Sequence, residues 1–495
     1  MIMHREGRFE KSMDPDAAEY TASLKEDIKL FTAVVQVNIA HVQMLKKTGI
    51  VEKSDAEKIL RALSELQEKD PEKLDLRPEL EDIHMVIEEY VKNKIGKEAG
   101  GKLHTAKSRN DQVATAIRMV LREEILEIQT LIVEFIGEII ELAEENTTTI
   151  MPGYTHLQVA EPSTFAHYLG SYIQALIRDL DRLEEAFAIT NRCPLGSCAF
   201  AGTSFPIDRN LTSNLLGFAE ICENTMDATS SRDFALQTMS NLSILMTNLS
   251  RLAEELILWS STEFDMISTP DEFSSTSSIM PQKKNPVVAE LERAKCGRTV
   301  GDLVGGLNIM KNLPQAYNLD LQELTPLLWD SIEQTKSSLN VMKKMIGKVK
   351  PKPENMRKNA VKGFATLTEL ANIIVLEAGI PFREAHKIVG QLSSLANEKG
   401  KSLENLSISD LNSASEKVLS EKIDISESKF KEALDLDNCV ERRKVVGGPS
   451  PQSMEKELSK FSERIKKIEN DLKERKDSIS RSLKKIEKIQ LRLNN

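Results

Sequence analysis

The segment Ile117–Leu142, IRMVLREEILEIQTLIVEFIGEIIEL, carries apolar residues at Ile117, Leu121, Ile125, Ile128, Ile132, Phe135, Ile139 and Leu142. The steps are three and four, which puts all of them on one face and predicts a single long helix. A second stripe runs Leu242, Leu245, Leu249, Leu252, Leu256, with no proline between Pro206 and Pro270 to end it. Strand-like alternation is sparse and short. Long helices with short connections predict an all-α protein with a central bundle. Two such helices cannot cover each other's apolar faces, so self-association is expected.

Breaks in the pattern divide the chain. EAGGKLHTAKSRN, Glu98–Asn110, is glycine-rich and basic; KPKP, Lys350–Pro353, ends the long-helix region; VVGGPSP, Val445–Pro451, interrupts the chain again. The expected units are 1–107, 108–352, 353–450 and a tail, 451–495. In the tail Leu458, Ile465, Leu472, Ile479, Ile486 and Leu493 repeat every seven residues, with Phe461, Ile468 and Ile489 between them and Arg475 and Ser482 interrupting. This pattern fits a coiled coil or an amphipathic helix lying on its own subunit.

Aromatic residues are only 5%, so aliphatic side chains must fill the core. The net charge of −10 leaves no general basic field to neutralise nucleic-acid phosphates. An anionic ligand would need a local cluster of cations. The five cysteines, Cys193, Cys198, Cys222, Cys296 and Cys439, lack paired ligand spacing and read as reduced thiols of a cytoplasmic protein. The N-terminal stretch MIMHREGRFEKSMD is charged and is not a signal peptide. No unbroken apolar run predicts a membrane span.

Polar islands carry the chemistry. EDIHM contains His84. KLHTAKSRNDQ contains His104, Ser108, Arg109 and Asn110 just before the long helix, where an arginine flanked by small donors suits a carboxylate. Ser108 or Asn110 serves equally well as a plain N-cap. MPGYTHLQ contains Thr155 and His156; a lone histidine near a helix start is more often structural. DEFSSTSSIMPQKKNP, Asp271–Pro286, is a polar loop that reads as a linker or as a lid over an anion, closing at a helix entrance with Lys283, Asn285 and Glu290.

Together the islands resemble the fumarase/aspartase superfamily, whose mark is a GSSxMPxKxN loop; here it reads TSSIMPQKKN. KLHTAKSRNDQVAT, MPGYTHLQ, SSIMPQKKNP, LPQAYNLDLQE, RLAEELILWSS and GIPFREAHKIVG resemble its argininosuccinate lyase branch, from about Tyr20 to Pro451. The resemblance implies elimination of fumarate from argininosuccinate, leaving arginine, without a metal or organic cofactor. It implies Ser277 as the base, His156 in proton transfer and Glu290 orienting it. Lys283 and Asn285 would hold the fumarate portion. Ser108, Arg109, Asn110, Thr155 and His84 would contact substrate. Arg232, Tyr317 and Gln322 would grip the amino-acid portion or its carboxylates, and Ser23 and Asp27 the arginine end. It also implies a homotetramer with each site drawn from three chains, binding neither nucleic acid nor membrane. Three departures stand out: Thr276 for the loop glycine, Ser231 for an aspartate and Thr325 for a lysine.

From chemistry alone His156 is the better base, because a serine hydroxyl is too weakly acidic unless strongly perturbed. Loop closure that set Ser277 against Lys283 and a helix N-terminus would stabilise its alkoxide. The alternatives are another fumarate-releasing lyase (adenylosuccinate lyase, aspartase or fumarase), an inactive structural homologue, or an assembly module built around the tail.

Overall fold

The computed structural model describes residues 11–494, with side chains as far as 488 apart from 487. The stretch 1–10, and with it most of the segment read as lacking a signal peptide, lies outside the described residues.

The principal helices follow the predicted stripes. The N-terminal part holds α1 (Phe31–Lys47), α2 (Lys53–Gln67) and α3 (Ile83–Ile95). The long helix α4 runs Arg109–Glu144 and is capped by Ser108. A hairpin of β1 (Ile150–Thr155) and β2 (Gln158–Thr164) leads into α5 (Phe165–Thr190). Then come α6 (Asp233–Ser260), a small hairpin of β3 (Ser275–Thr276) and β4 (Lys284–Asn285), α7 (Val287–Met310) and α8 (Leu324–Ile346). The C-terminal part holds α9 (Leu367–Ala378), α10 (Phe382–Glu398), α11 (Ile408–Leu419) and the long α12 (Pro451–Asn494). The strands of the described residues form only two-stranded ladders.

Helices α4, α5, α6, α7 and α8 pack in a bundle, α4 on α5 and α8, α6 on α5, α7 and α8. The Ile117–Leu142 stripe is buried along its whole length, as its period requires. The apolar core of the bundle is continuous with that of α1–α3, whereas α9–α11 surround a core of their own. Residues Leu24–Lys47 are long and apolar enough to cross a membrane by length and composition, but most of that stretch is packed inside this core.

The tail rests on its own chain. Met454, Leu458, Phe461, Ile465, Leu472, Ile479 and Ile486 are buried, and α12 packs on α4, α5, the short helix Arg209–Leu216 and α2. Arg464 pairs with Asp181 at 2.7 Å, and Arg475 pairs with Glu184. Gly217 ends the short helix at φ 73°, and a Cβ there would stand 3.2 Å from Ser482 Cβ, so another residue would strain the left-handed backbone and press on α12. Of the two readings of the heptads, the amphipathic helix on its own subunit describes this packing. Ile489 and Leu493 fall outside the described side chains.

Candidate active site

The N-terminus of α4 faces a cavity of about 650 Å³. Its walls bring together Ser23, Asp27, Arg109, Asn110, Arg232, Tyr317 and Gln322, with Thr325 beside them. These residues come from four separate stretches of sequence, joined here because α4, the start of α6 and the start of α8 converge.

Each is held in place. Ser23 Oγ donates to Asp27 Oδ2 over 2.6 Å, and Ile83 N–H approaches the same oxygen at 3.5 Å. Burial pushes the Asp27 carboxyl up to about 7, against the hydrogen bond from Ser23. Arg109 is forked between Asp82 Oδ2, 2.9 Å from Nε, and Glu88 Oε1, 3.4 Å from a terminal nitrogen. Gln322 Nε2 donates to the Thr21 carbonyl at 3.1 Å. Asn110 Nδ2 donates to the Ala199 carbonyl at 3.0 Å.

Of the two arginines of the cavity, Arg232 is the less well paired. It is almost wholly buried, and its guanidinium meets only the carbonyls of Ser231, at 2.9 Å, and Thr229, at 3.3 Å. Its Nε has no partner, and among the described residues no carboxylate pairs with it. Burial draws its pKa down to about 10. A buried cation left this way favours a carboxylate ligand.

Other expected residues lie elsewhere. Ser108 caps α4 in a capping box with Asp111, so its side chain is engaged as the N-cap reading supposed. His84 is buried beside the cavity rather than lining it, and neither ring nitrogen has a partner. Burial, then the charge of Arg109, holds its pKa well below the usual histidine range.

Thr155 and His156 do not sit near a helix start. They lie at the exposed tip of the β1–β2 hairpin, where Thr155 pairs with Gln158. His156 and Leu157 form the two-residue turn, with φ 54° and 56°. Left-handed φ at both central positions is what a twisted hairpin demands, and it is strained for residues other than glycine or asparagine. The sequence lacks the Asn-Gly signal, which is why the turn was not legible.

Ser277 and Lys283 lie on the loop between β3 and β4. Ser277 Oγ accepts the N–H groups of Ile279, at 3.3 Å, and Met280, at 3.1 Å. These backbone donors, rather than Lys283 or a helix N-terminus, face the serine oxygen here. Asn285 Nδ2 donates to Ser275 Oγ at 3.4 Å. Glu290 is exposed in the first turn of α7, and within this chain it makes no hydrogen bond or ion pair with His156 among the described residues. Thr276 pairs with Lys284 in ordinary extended backbone, so no glycine is required at that position. The hairpin tip and the 277–285 loop do not line the cavity of Arg109 and Arg232.

Sequence reading passed over Asp82, Glu88 and Lys107. Asp82 caps α3 through Met85 N–H at 2.7 Å, and its place just before an apolar run was a signal for the cap, but not for the ion pair with Arg109.

The sequence pattern of the family described as Lyase matches residues 7–301, and that described as Argininosuccinate lyase C-terminal matches residues 364–441. An argininosuccinate lyase of Methanocaldococcus jannaschii is 46% identical over 481 residues, covering 97% of this chain and 98% of the relative. One of Methanosarcina mazei is 46% identical over 459 residues, covering 92% of each. Among solved structures, an EDDS lyase in complex with formate aligns with a TM-score of 0.88 at 29% identity, covering 97% of this chain and 94% of that one. A class II fumarase of Schistosoma mansoni aligns at 0.71 and 16% identity, covering 87% of this chain and 92% of its own, and shows the shared fold.

Proposed function

The chain belongs to the argininosuccinate lyase family and eliminates fumarate from argininosuccinate to leave arginine; we propose that it does so with the residues of the three polar sites just described. The cavity of Asp27, Arg109 and Arg232 takes the amino-acid end and a carboxylate of the substrate. Asp27 with Ser23 receives the cationic end. The buried, carboxylate-free Arg232 is the observation that carries this assignment.

In the reaction a proton leaves the carbon next to a carboxylate, and the electron pair spreads onto that carboxylate before the carbon–nitrogen bond breaks. Ser277, as its alkoxide, takes the proton and becomes a neutral hydroxyl. The two backbone N–H groups already directed at its Oγ lower the cost of negative charge there. Lys283 and Asn285 stabilise the dianion that develops. His156 supplies or relays a proton to the departing guanidine, oriented by Glu290.

The enzyme works as a homotetramer in which Arg109, His156 and Ser277 of three different chains meet. The support is that one chain leaves these residues on three separate elements. We also divide the chain at 107, 352 and 450. The independent apolar core of α9–α11 supports a separate C-terminal unit. The five free cysteines fit a reducing, cytoplasmic setting.

Fumarate release, followed by its ultraviolet absorbance, tests the site. Ser277→Ala is expected to lower kcat by about 10³-fold or more while leaving KM within about threefold. If Ser277→Ala keeps most of its turnover while His156→Asn abolishes it, His156 is the base. Mixing the inactive His156→Asn and Ser277→Ala proteins is expected to restore part of the activity; no recovery would sink the shared site.

A further inference from the structure

Arg118 lies on α4 beyond Arg109, almost wholly buried and outside the lining of the cavity. The edge of its guanidinium donates to the carbonyls of Ile189, at 2.8 Å, and Thr190, at 3.3 Å, which end α5. A cation is favoured there, because those carbonyls form the negative end of the helix dipole. The face of the same guanidinium lies on the ring of Phe234, its central carbon 3.9 Å from the ring centroid.

Phe234 is fully buried in the first turn of α6, and Arg232 stands two residues earlier at the N-cap of that helix. The guanidinium of Arg232 holds only to carbonyls of its own turn, Thr229 and Ser231. Those bonds fix the group to the turn and leave open how the turn is fixed to the cavity. The stack of Arg118 on Phe234 ties it to α4, whose N-terminus carries the other arginine of the cavity, Arg109. The short helix Thr225–Ser230 also packs on α4, so losing the stack would loosen the turn without releasing it.

We propose that Arg118 is a positioning residue, which by stacking on Phe234 sets Arg232 where it meets a substrate carboxylate. The proposal rests on Arg232 as a carboxylate holder. A lysine at 118 keeps a charge and a donor at the end of α5 but has no flat face to lay on the ring. Arg122 supplies the comparison. It too is fully buried on α4, donates to the Leu216 carbonyl at 2.7 Å and lies over Phe218, 4.5 Å from the ring centroid. Neither Arg122 nor Phe218 lines the cavity.

The test is steady-state kinetics of the full-length enzyme on argininosuccinate at a single pH near neutrality. Arg118→Lys is expected to raise KM about fivefold and to leave kcat within about twofold. Phe234→Leu is expected to do the same, and the double variant to raise KM no further than either alone. Arg122→Lys, which loses an equivalent stack, is expected to keep KM within about twofold of the parent. Arg232→Gln is expected to raise KM about tenfold or more, and adding Arg118→Lys to it to change KM less than about twofold. A parental KM in Arg118→Lys, an equal rise in Arg122→Lys, or a rise that multiplies in the Arg232→Gln background overturns the proposal. If Arg118→Lys does not fold, Phe234→Leu measured with and without Arg232→Gln decides in its place. Arg232→Gln also separates the two layers. If it leaves KM unchanged, the carboxylate role of Arg232 falls and takes the proposal with it. If it raises KM and Arg118→Lys raises it again, only the role of Arg118 falls.

Discussion

Ser23 and Asp27 sit one helical turn apart and share a 2.6 Å hydrogen bond, so that the hydroxyl steadies a carboxyl whose pKa burial has pushed up to about 7. Below that value the folded protein holds this proton more firmly than the unfolded chain does. Stability from Asp27 is therefore present at low pH and is lost as pH rises from the ordinary aspartate value through about 7. Ligand binding runs the other way. A cationic guanidine end needs the carboxylate, so the inhibition constant of arginine is expected to fall as pH rises from about 6 to 8. Asp27→Asn is expected to flatten that slope and weaken arginine about tenfold or more at the upper end. A slope that survives the substitution would reassign it to another group.

Ser108 is expected to matter to stability and little to affinity. Its Oγ is spent on capping α4, 3.4 Å from Asn110 N–H. Ser108→Ala is expected to cost about 1 kcal/mol in chemical unfolding and to leave KM within about twofold. A KM that rises tenfold with unchanged stability would favour substrate contact over capping.

Glu292 faces the interior from α7, nearly inaccessible, with Ser338 beside its carboxyl but no well-formed hydrogen bond to it. Burial raises its pKa, so its contribution falls as pH rises through the folded value. A buried charge with only Ser338 beside it and Lys295 acting from further off is costly, and a leucine of similar size removes the cost. Glu292→Leu is expected to stabilise the protein by about 1–3 kcal/mol, read from the denaturant midpoint. A lower midpoint would mean that the carboxyl serves an interaction this chain alone does not make.

Phe461 lies buried where α12 crosses Gly170 of α5. Phe461→Ala is expected to cost about 3–5 kcal/mol. Removing 451–495 would bare the groove that Met454, Leu458 and Ile465 fill, and is expected to lower solubility and melting temperature together. A truncated protein that melts at the parental temperature would show the helix to be an appendage.

The bundle was legible because its helices are long and their stripes regular. Ile117–Leu142 needs only its own period to declare a buried face, and α4 extends beyond it at both ends. The heptads of the tail were equally plain, but a seven-residue repeat says that a face is covered and not by what. The islands were visible as interruptions, and the resemblance supplied their roles. What could not be read were pairings made only when α3 meets α4. Asp82 and Glu88 are unremarkable charges along the chain, and their distances to Arg109 exist only after packing, as does the burial of Lys107. The turn at His156 and Leu157 was hidden for the opposite reason: its backbone contradicts the local preference of both residues, and the hairpin imposes it.

The placement of α12 bears on how the protein is made. The helix lies partly on α1 and α2, roughly four hundred positions earlier in the chain. During synthesis those first helices leave the ribosome long before their cover does. Their apolar faces must wait until the intervening residues have been made, and α12 is the segment that seals them. A nascent chain halted before α12 would carry every residue assigned to chemistry and still be a client for chaperones.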